Sequence, residues 1–175
     1  MYMRLSTEDA ISEYWNSIYT VAFSICKNQM DAEDVAQDTF VKYHLHKKQF
    51  DNKEHLRAWL IKVTINAARN SMKAFWKKNK VSFDEYLENE TQITAAEFDD
   101  PARSFTQKEN ALELIKEVLK LPEKYRIVVH LFYYEDYSCD EISGLLRISE
   151  NAVRKRLSRG REMLKNRLSE EFSDD

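Results

Sequence analysis

The stretch "SCDEISGLLRISENAVRKRLSRGREMLKNRL", Ser138 to Leu168, decides the fold. Ser138 followed three residues later by Glu141 forms a capping box, in which serine and glutamate satisfy each other's backbone N–H, and it starts a helix of about two turns. "RIS" at 147–149 interrupts that helix, and the Ser149 hydroxyl is placed to cap a second, longer one. A short helix, a three-residue turn and a long basic helix form a helix-turn-helix. On the long helix Val153, Leu157, Gly160, Leu164 and Leu168 fall within one stripe, the side that faces a core. Asn151, Lys155, Ser158 and Arg159 fall opposite, flanked by Arg154 and Arg156. Arg and Lys on such a face can reach guanine O6 and N7, Asn can reach adenine, and the flanking cations can hold phosphates, which suits the major groove of duplex DNA.

Outward from this motif the chain remains helical in pattern. Only two Gly and two Pro in 175 residues leave little material for strands and tight turns, so the fold class is all-α. Ser6 with Asp9 marks one helix start, Asp31 is placed to cap a second helix, and a third runs from about Asn52 to Lys78. These make a first domain at 1–80. From 81 to 107 the composition turns acidic, with no sustained period and a proline at 101, which reads as a flexible linker. A second helical domain follows at 108–170, with Pro122 at a first-turn position and the helix-turn-helix inside it. The fold is thus two small helical domains joined by a flexible acidic linker. The linker and tail carry much of the negative charge behind the net −3, so overall acidity does not conflict with a basic DNA-facing helix.

No run approaches the roughly 20 apolar residues of a membrane-spanning helix, and the start has no secretory pattern, so a cytoplasmic protein is expected. Cys26 and Cys139, far apart and without a C-x-x-C partner, read as inert thiols of a reducing compartment.

The first domain carries two unusual surfaces. On the helix from Ala32, residues Ala32, Val35, Ala36, Thr39, Phe40 and Tyr43 share a core face, while Asp34, Gln37, Asp38, Val41 and Leu45 lie opposite. Apolar residues among carboxylates on a face that should be solvated suggest a docking surface for another protein. On the next helix Leu56, Trp59, Leu60, Val63 and Ala67 form one apolar side, and Ile61, Ile65, Ala68, Met72 and Trp76 another. Between them runs one polar stripe of Lys62, Asn66, Arg69 and Lys73, able to follow a nucleic-acid backbone.

In this order, "DAEDVAQDTFVKYH", "LRAWLIKVTINAARNSMK" and "LPEKYRIVVHLFYYEDYSCDEISGLLRISENAVRKRLSRGREML" resemble the extracytoplasmic-function sigma factors of bacterial RNA polymerase. The resemblance covers nearly the whole chain. It implies a protein that binds core RNA polymerase and directs promoter-specific initiation, with the first domain reading and melting the minus-10 element and the second reading the minus-35 element. It would place Asp34, Gln37, Asp38 and Phe40, with Val41 and Leu45 beside them, on the polymerase. Lys62, Asn66, Arg69, Asn70 and Lys73 would meet the minus-10 strand. Ser149, Asn151, Arg154, Lys155, Arg156, Ser158 and Arg159 would meet the minus-35 duplex. It also implies an anti-sigma partner and a chain that is monomeric when free. Two positions depart from the family pattern: Asn70 stands where N-x-x-x-D has its Asp, and Arg147 stands where the turn carries Gly, the residue best able to adopt a left-handed conformation.

A dimeric helix-turn-helix repressor or activator is the alternative reading, but it gives no role to the docking face or to the first domain's basic stripe. Catalysis is not expected. His44 and His46 point about 200° apart on a helix and cannot share a metal, and His55 and His130 lack ligand-spaced partners. No Gly-rich phosphate loop, nucleophile elbow or small-molecule substrate site is legible, and no cofactor or metal is expected.

Overall fold

The computed structural model describes residues 2–79 and 105–171, and all of its regular structure there is helical apart from one isolated bridge between Met3 and Phe50. Helix α1 spans Thr7–Cys26, α2 Gln29–Leu45 and α3 Lys53–Asn79. The Ser6 hydroxyl accepts from the Asp9 N–H at 3.0 Å, which fixes the start of α1. The cap of α2 is Asn28, not Asp31: Asn28 Oδ1 accepts from the Asp31 N–H at 2.8 Å, and the Asp31 carboxylate accepts from Asn28 Nδ2 at 2.6 Å. Lys27, left-handed at φ 63, turns the chain so sharply that α2 begins before Asp31 is reached.

The two apolar sides expected on α3 are one broad buried arc. Leu56, Leu60, Ile61, Ile65, Ala68 and Met72 are buried, and Thr64, 3.2 Å from the Thr39 hydroxyl, joins the two sides through the core. The opposite surface keeps Asn66, Asn70 and Lys73 in solvent.

The expected linker at 81–107 lies outside the described residues except for 105–107, which already belong to helix α4, Phe105–Lys120. Helix α5, Glu123–Val129, follows Pro122 as its N-cap residue and widens into a π-turn over His130–Tyr134. Helices α6, Cys139–Leu146, and α7, Glu150–Glu171, complete the second half. Gly160 lets α7 lie close on α5: a Cβ there would stand 3.0 Å from Val129 Cγ2.

The two halves meet along a seam built on two buried charges. Arg126 of α5, 1% exposed, donates to the Ser24 carbonyl and, at 3.5 Å, to that of Ile25 in the last turn of α1. It also donates to Leu119 and Leu121 carbonyls at the end of α4, at 3.2 and 2.6 Å. One guanidinium thus satisfies carbonyls that helix ends leave unpaired, at the negative poles of two helices, one from each half. Burial lowers its pKa to about 10, so it remains a cation at neutral pH. Glu135, 2% exposed, accepts from Ser17 Oγ of α1 at 2.5 Å and from Arg57 Nη2 of α3 at 2.6 Å. Burial would raise its carboxyl, but His130, the Ser17 hydrogen bond and the Arg57 charge bring it below the ordinary 4.5.

Candidate nucleic-acid and polymerase interface

The helix-turn-helix closes as its residues dictate. Ser138 and Glu141 form the reciprocal capping box, with the Ser138 N–H donating to Glu141 Oε2 at 2.8 Å and the Glu141 N–H to Ser138 Oγ at 3.2 Å. Helix α6 ends on Arg147, which takes the left-handed conformation, φ 55 and ψ 46, and donates its N–H to the Ser143 carbonyl. The turn therefore has the backbone that glycine accepts most readily, held here by an arginine. The Ser149 hydroxyl accepts from the Ala152 N–H at 3.1 Å and starts α7.

On α7 Val153 and Leu157 are buried against α5 and α6, which aims the opposite face outward. Asn151, Arg154, Lys155, Ser158 and Arg159 are exposed and Arg156 is half-buried. Arg154 pairs with Glu150, and Arg159 with Glu162 at 2.7 Å, both within the helix. Exposed pairs of this kind are screened by solvent and contribute little, so a phosphate can displace the carboxylate at small cost.

On α2 the structure brings Asp34, Gln37, Asp38, Val41 and Leu45 to one exposed face, with Val41 55% and Leu45 69% exposed. Phe40 departs from its expected place in a contact surface: it is 3% exposed, stacked at 6.0 Å on Trp15. A residue turned into the core at the i+3, i+4 spacing cannot also present its ring outward, so Phe40 positions the face rather than forming it. Asp38 pairs with Lys42 at 2.6 Å, while Asp34 has no carboxylate–cation contact of this kind among the described residues.

The α3 stripe has a more complicated setting. Asn66, Asn70 and Lys73 are exposed and Lys62 is half-buried. Arg69 reaches across the seam, where its Nε and Nη2 lie 2.9 and 2.8 Å from Glu123 Oε1 of α5. Sequence reading missed the residues that make this seam: Arg126, Glu135, Arg57, Ser17 and Glu123. An Arg inside the apolar run "YRIVV" and the Glu that ends the aromatic run "LFYY" were the available signals.

Cys26 is buried and Cys139 half-buried, both free; burial pushes the Cys26 thiol up to about 12, which leaves it unreactive at neutral pH. Among the described residues no helix is long and apolar enough to cross a membrane.

The second half thus presents a solvent-facing basic helix of a helix-turn-helix, which suits duplex DNA, and the first half a partly basic stripe beside an apolar–acidic face, which suits a partner protein. The comparisons agree. Residues 10–79 match the family model for sigma-70 region 2, and residues 111–164 match that for sigma-70 region 4. The chain is 30% identical to the ECF RNA polymerase sigma factor SigW of Bacillus subtilis, over 91% of this chain and 87% of that one. It is 26% identical to the ECF sigma factor SigM of the same organism, over 98% and 100% of the two chains. The same fold occurs in the sigma factor RpoE of Bartonella quintana, solved in complex with the anti-sigma factor NepR: TM-score 0.74, 19% identity, 93% and 96% coverage. The chain belongs to the extracytoplasmic-function sigma factors. It binds core RNA polymerase and promoter DNA and directs promoter-specific initiation, a regulatory role without catalysis of its own. A dimeric helix-turn-helix repressor is not favoured, because such a protein has no place for a region 2 domain.

Proposed function

We propose that the domains divide at the acidic segment 81–107 and that their surfaces divide the promoter. The α2 face of Asp34, Gln37, Asp38, Val41 and Leu45 docks on the polymerase, positioned from behind by Phe40. Lys62, Asn66, Arg69, Asn70 and Lys73 follow the unpaired minus-10 strand. Ser149, Asn151, Arg154, Lys155, Arg156, Ser158 and Arg159 hold the minus-35 duplex. The protein works in the cytoplasm, where the polymerase is, as a monomer until it joins the enzyme, and an anti-sigma protein restrains it, as the complex of RpoE with NepR suggests by likeness of fold.

The observation that carries this reading is the exposure of Val41 and Leu45 among Asp34 and Asp38, an apolar–acidic patch the fold does not use internally. Charge reversal at both acids, Asp34→Lys with Asp38→Lys, is expected to abolish pull-down of core polymerase while the melting curve stays within about 0.5 kcal/mol of the parent stability. Undiminished pull-down by the folded variant would remove the docking assignment.

A further inference from the structure

A cavity of about 600 Å³ lies where the end of α1 and the second half of α3 meet the start of α5. Its polar lining is strongly one-sided: Lys27, Arg69, Lys73, Lys124 and Arg126 against a single carboxylate, Glu123. Arg69 already engages that carboxylate, and Arg126 is taken up by backbone carbonyls. Lys27, Lys73 and Lys124 make no ion pair with a carboxylate among the described residues. Lys27 is the telling one. It is only 7% exposed, held at the left-handed end of α1, and it lines the cavity without an ion pair to any carboxylate of the described residues.

A cleft lined mostly by cations between apolar walls focuses a positive field, which a bound anion relieves. The remaining wall is apolar, with Met72 and Trp76 on α3. The volume lies within the range of cofactor-sized pockets, and an aromatic side chain beside cations suits a planar base carrying phosphates.

We propose that this cavity binds a phosphorylated small molecule of nucleotide size, its phosphates on Lys27, Lys73 and Lys124 and its planar part against Met72 and Trp76. The walls come from both halves of the chain, so the ligand bridges the seam. Given the assignment of Lys73 to the minus-10 strand, on which this consequence alone rests, ligand and melted promoter compete for that side chain. The molecule is then a negative effector that holds the free protein closed.

The test uses the full chain without DNA or polymerase, so that it does not depend on the promoter assignment. Inorganic pyrophosphate, ATP and GTP are titrated in low-salt, phosphate-free buffer by calorimetry and by tryptophan fluorescence. The expected result is saturable one-site binding of all three, tighter for the nucleotides, with a fluorescence change that disappears in Trp76→Phe. Binding should weaken at least roughly tenfold in Lys27→Met, be restored in Lys27→Arg, and weaken also in Lys73→Met, whose exposed position leaves folding intact. Absence of saturable binding of any probe at millimolar concentration overturns the proposal. So does binding that is unchanged in both lysine-to-methionine variants, which would place the anions on another basic surface such as α7.

Discussion

Helix α7 carries its cations in the open, whereas the basic stripe of α3 lies partly against the other domain. Arg154 and Arg159 have partners within their own helix, exposed and cheaply surrendered, so α7 can meet duplex DNA however the halves are arranged. Arg69 is paired with Glu123 across a seam that also holds Arg126 and Glu135. Its full engagement with another anion requires that pair to part. On the proposed division of the promoter, the difference puts capture of duplex and contact with an unpaired strand under different constraints: the first needs only a presented helix, the second needs the seam to yield.

The strongest way to break this comparison is to remove the centre of the seam. Arg126→Met leaves four buried carbonyls without their donor, at about 1–3 kcal/mol for each group left unsatisfied, so a loss of several kcal/mol and separate melting of the two halves are expected in chemical denaturation. A single unshifted transition would mean that the seam contributes little. Acid should act on the same seam through Glu135. Its folded carboxyl lies below 4.5, so its stabilisation is complete above that ordinary value and is lost as pH falls through the lowered folded value. Small-angle scattering should therefore show the free chain compact at neutral pH and expanding only in acid below the ordinary carboxylate range, with Glu135→Gln expanded already at neutral pH.

The open helix gives the next, smaller effect. Lys155→Ala, if the lysine contacts a base, should weaken binding to a minus-35 duplex by about 1–3 kcal/mol and relax preference at one or two positions. Arg154→Ala should instead weaken all sequences alike and lower the salt slope by about one unit. The smallest effect concerns the turn. Arg147→Gly relieves a left-handed residue whose steric penalty is about 1–2 kcal/mol, partly offset by the greater freedom of glycine in the unfolded chain, so a net gain of up to about 1 kcal/mol is expected in thermal melts. A lower melting temperature would show that the Arg147 side chain contributes more than its backbone loses.

What was legible in the sequence was what its neighbours determine. The Ser138–Glu141 box, the Ser149 cap and the α7 stripe are signals spanning a few residues, and the helices follow them. The outward faces of α2 and α3 were legible because helical periodicity separates core from solvent, and Phe40 was placed on both sides only because the family likeness was added to that periodicity. Asp31 was mistaken for a cap because Asn28, which precedes it by three residues, competes for the same role and is favoured by the left-handed Lys27. The seam was not legible. Arg126 finds its acceptor 102 residues away and Glu135 its donor 118 away, and no local pattern encodes a partner at that distance.

The central claim, that the α3 stripe serves the unpaired strand and α7 the duplex, is tested most directly by permanganate footprinting of a promoter with core polymerase reconstituted with the double variant Asn66→Ala, Arg69→Ala. The account predicts normal closed-complex binding with loss of the permanganate-reactive melted region, restored on a pre-melted template only to the extent that strand contacts are dispensable there. Equal loss of duplex binding and of melting would contradict it and would return the stripe at 62–73 to ordinary duplex binding or to packing.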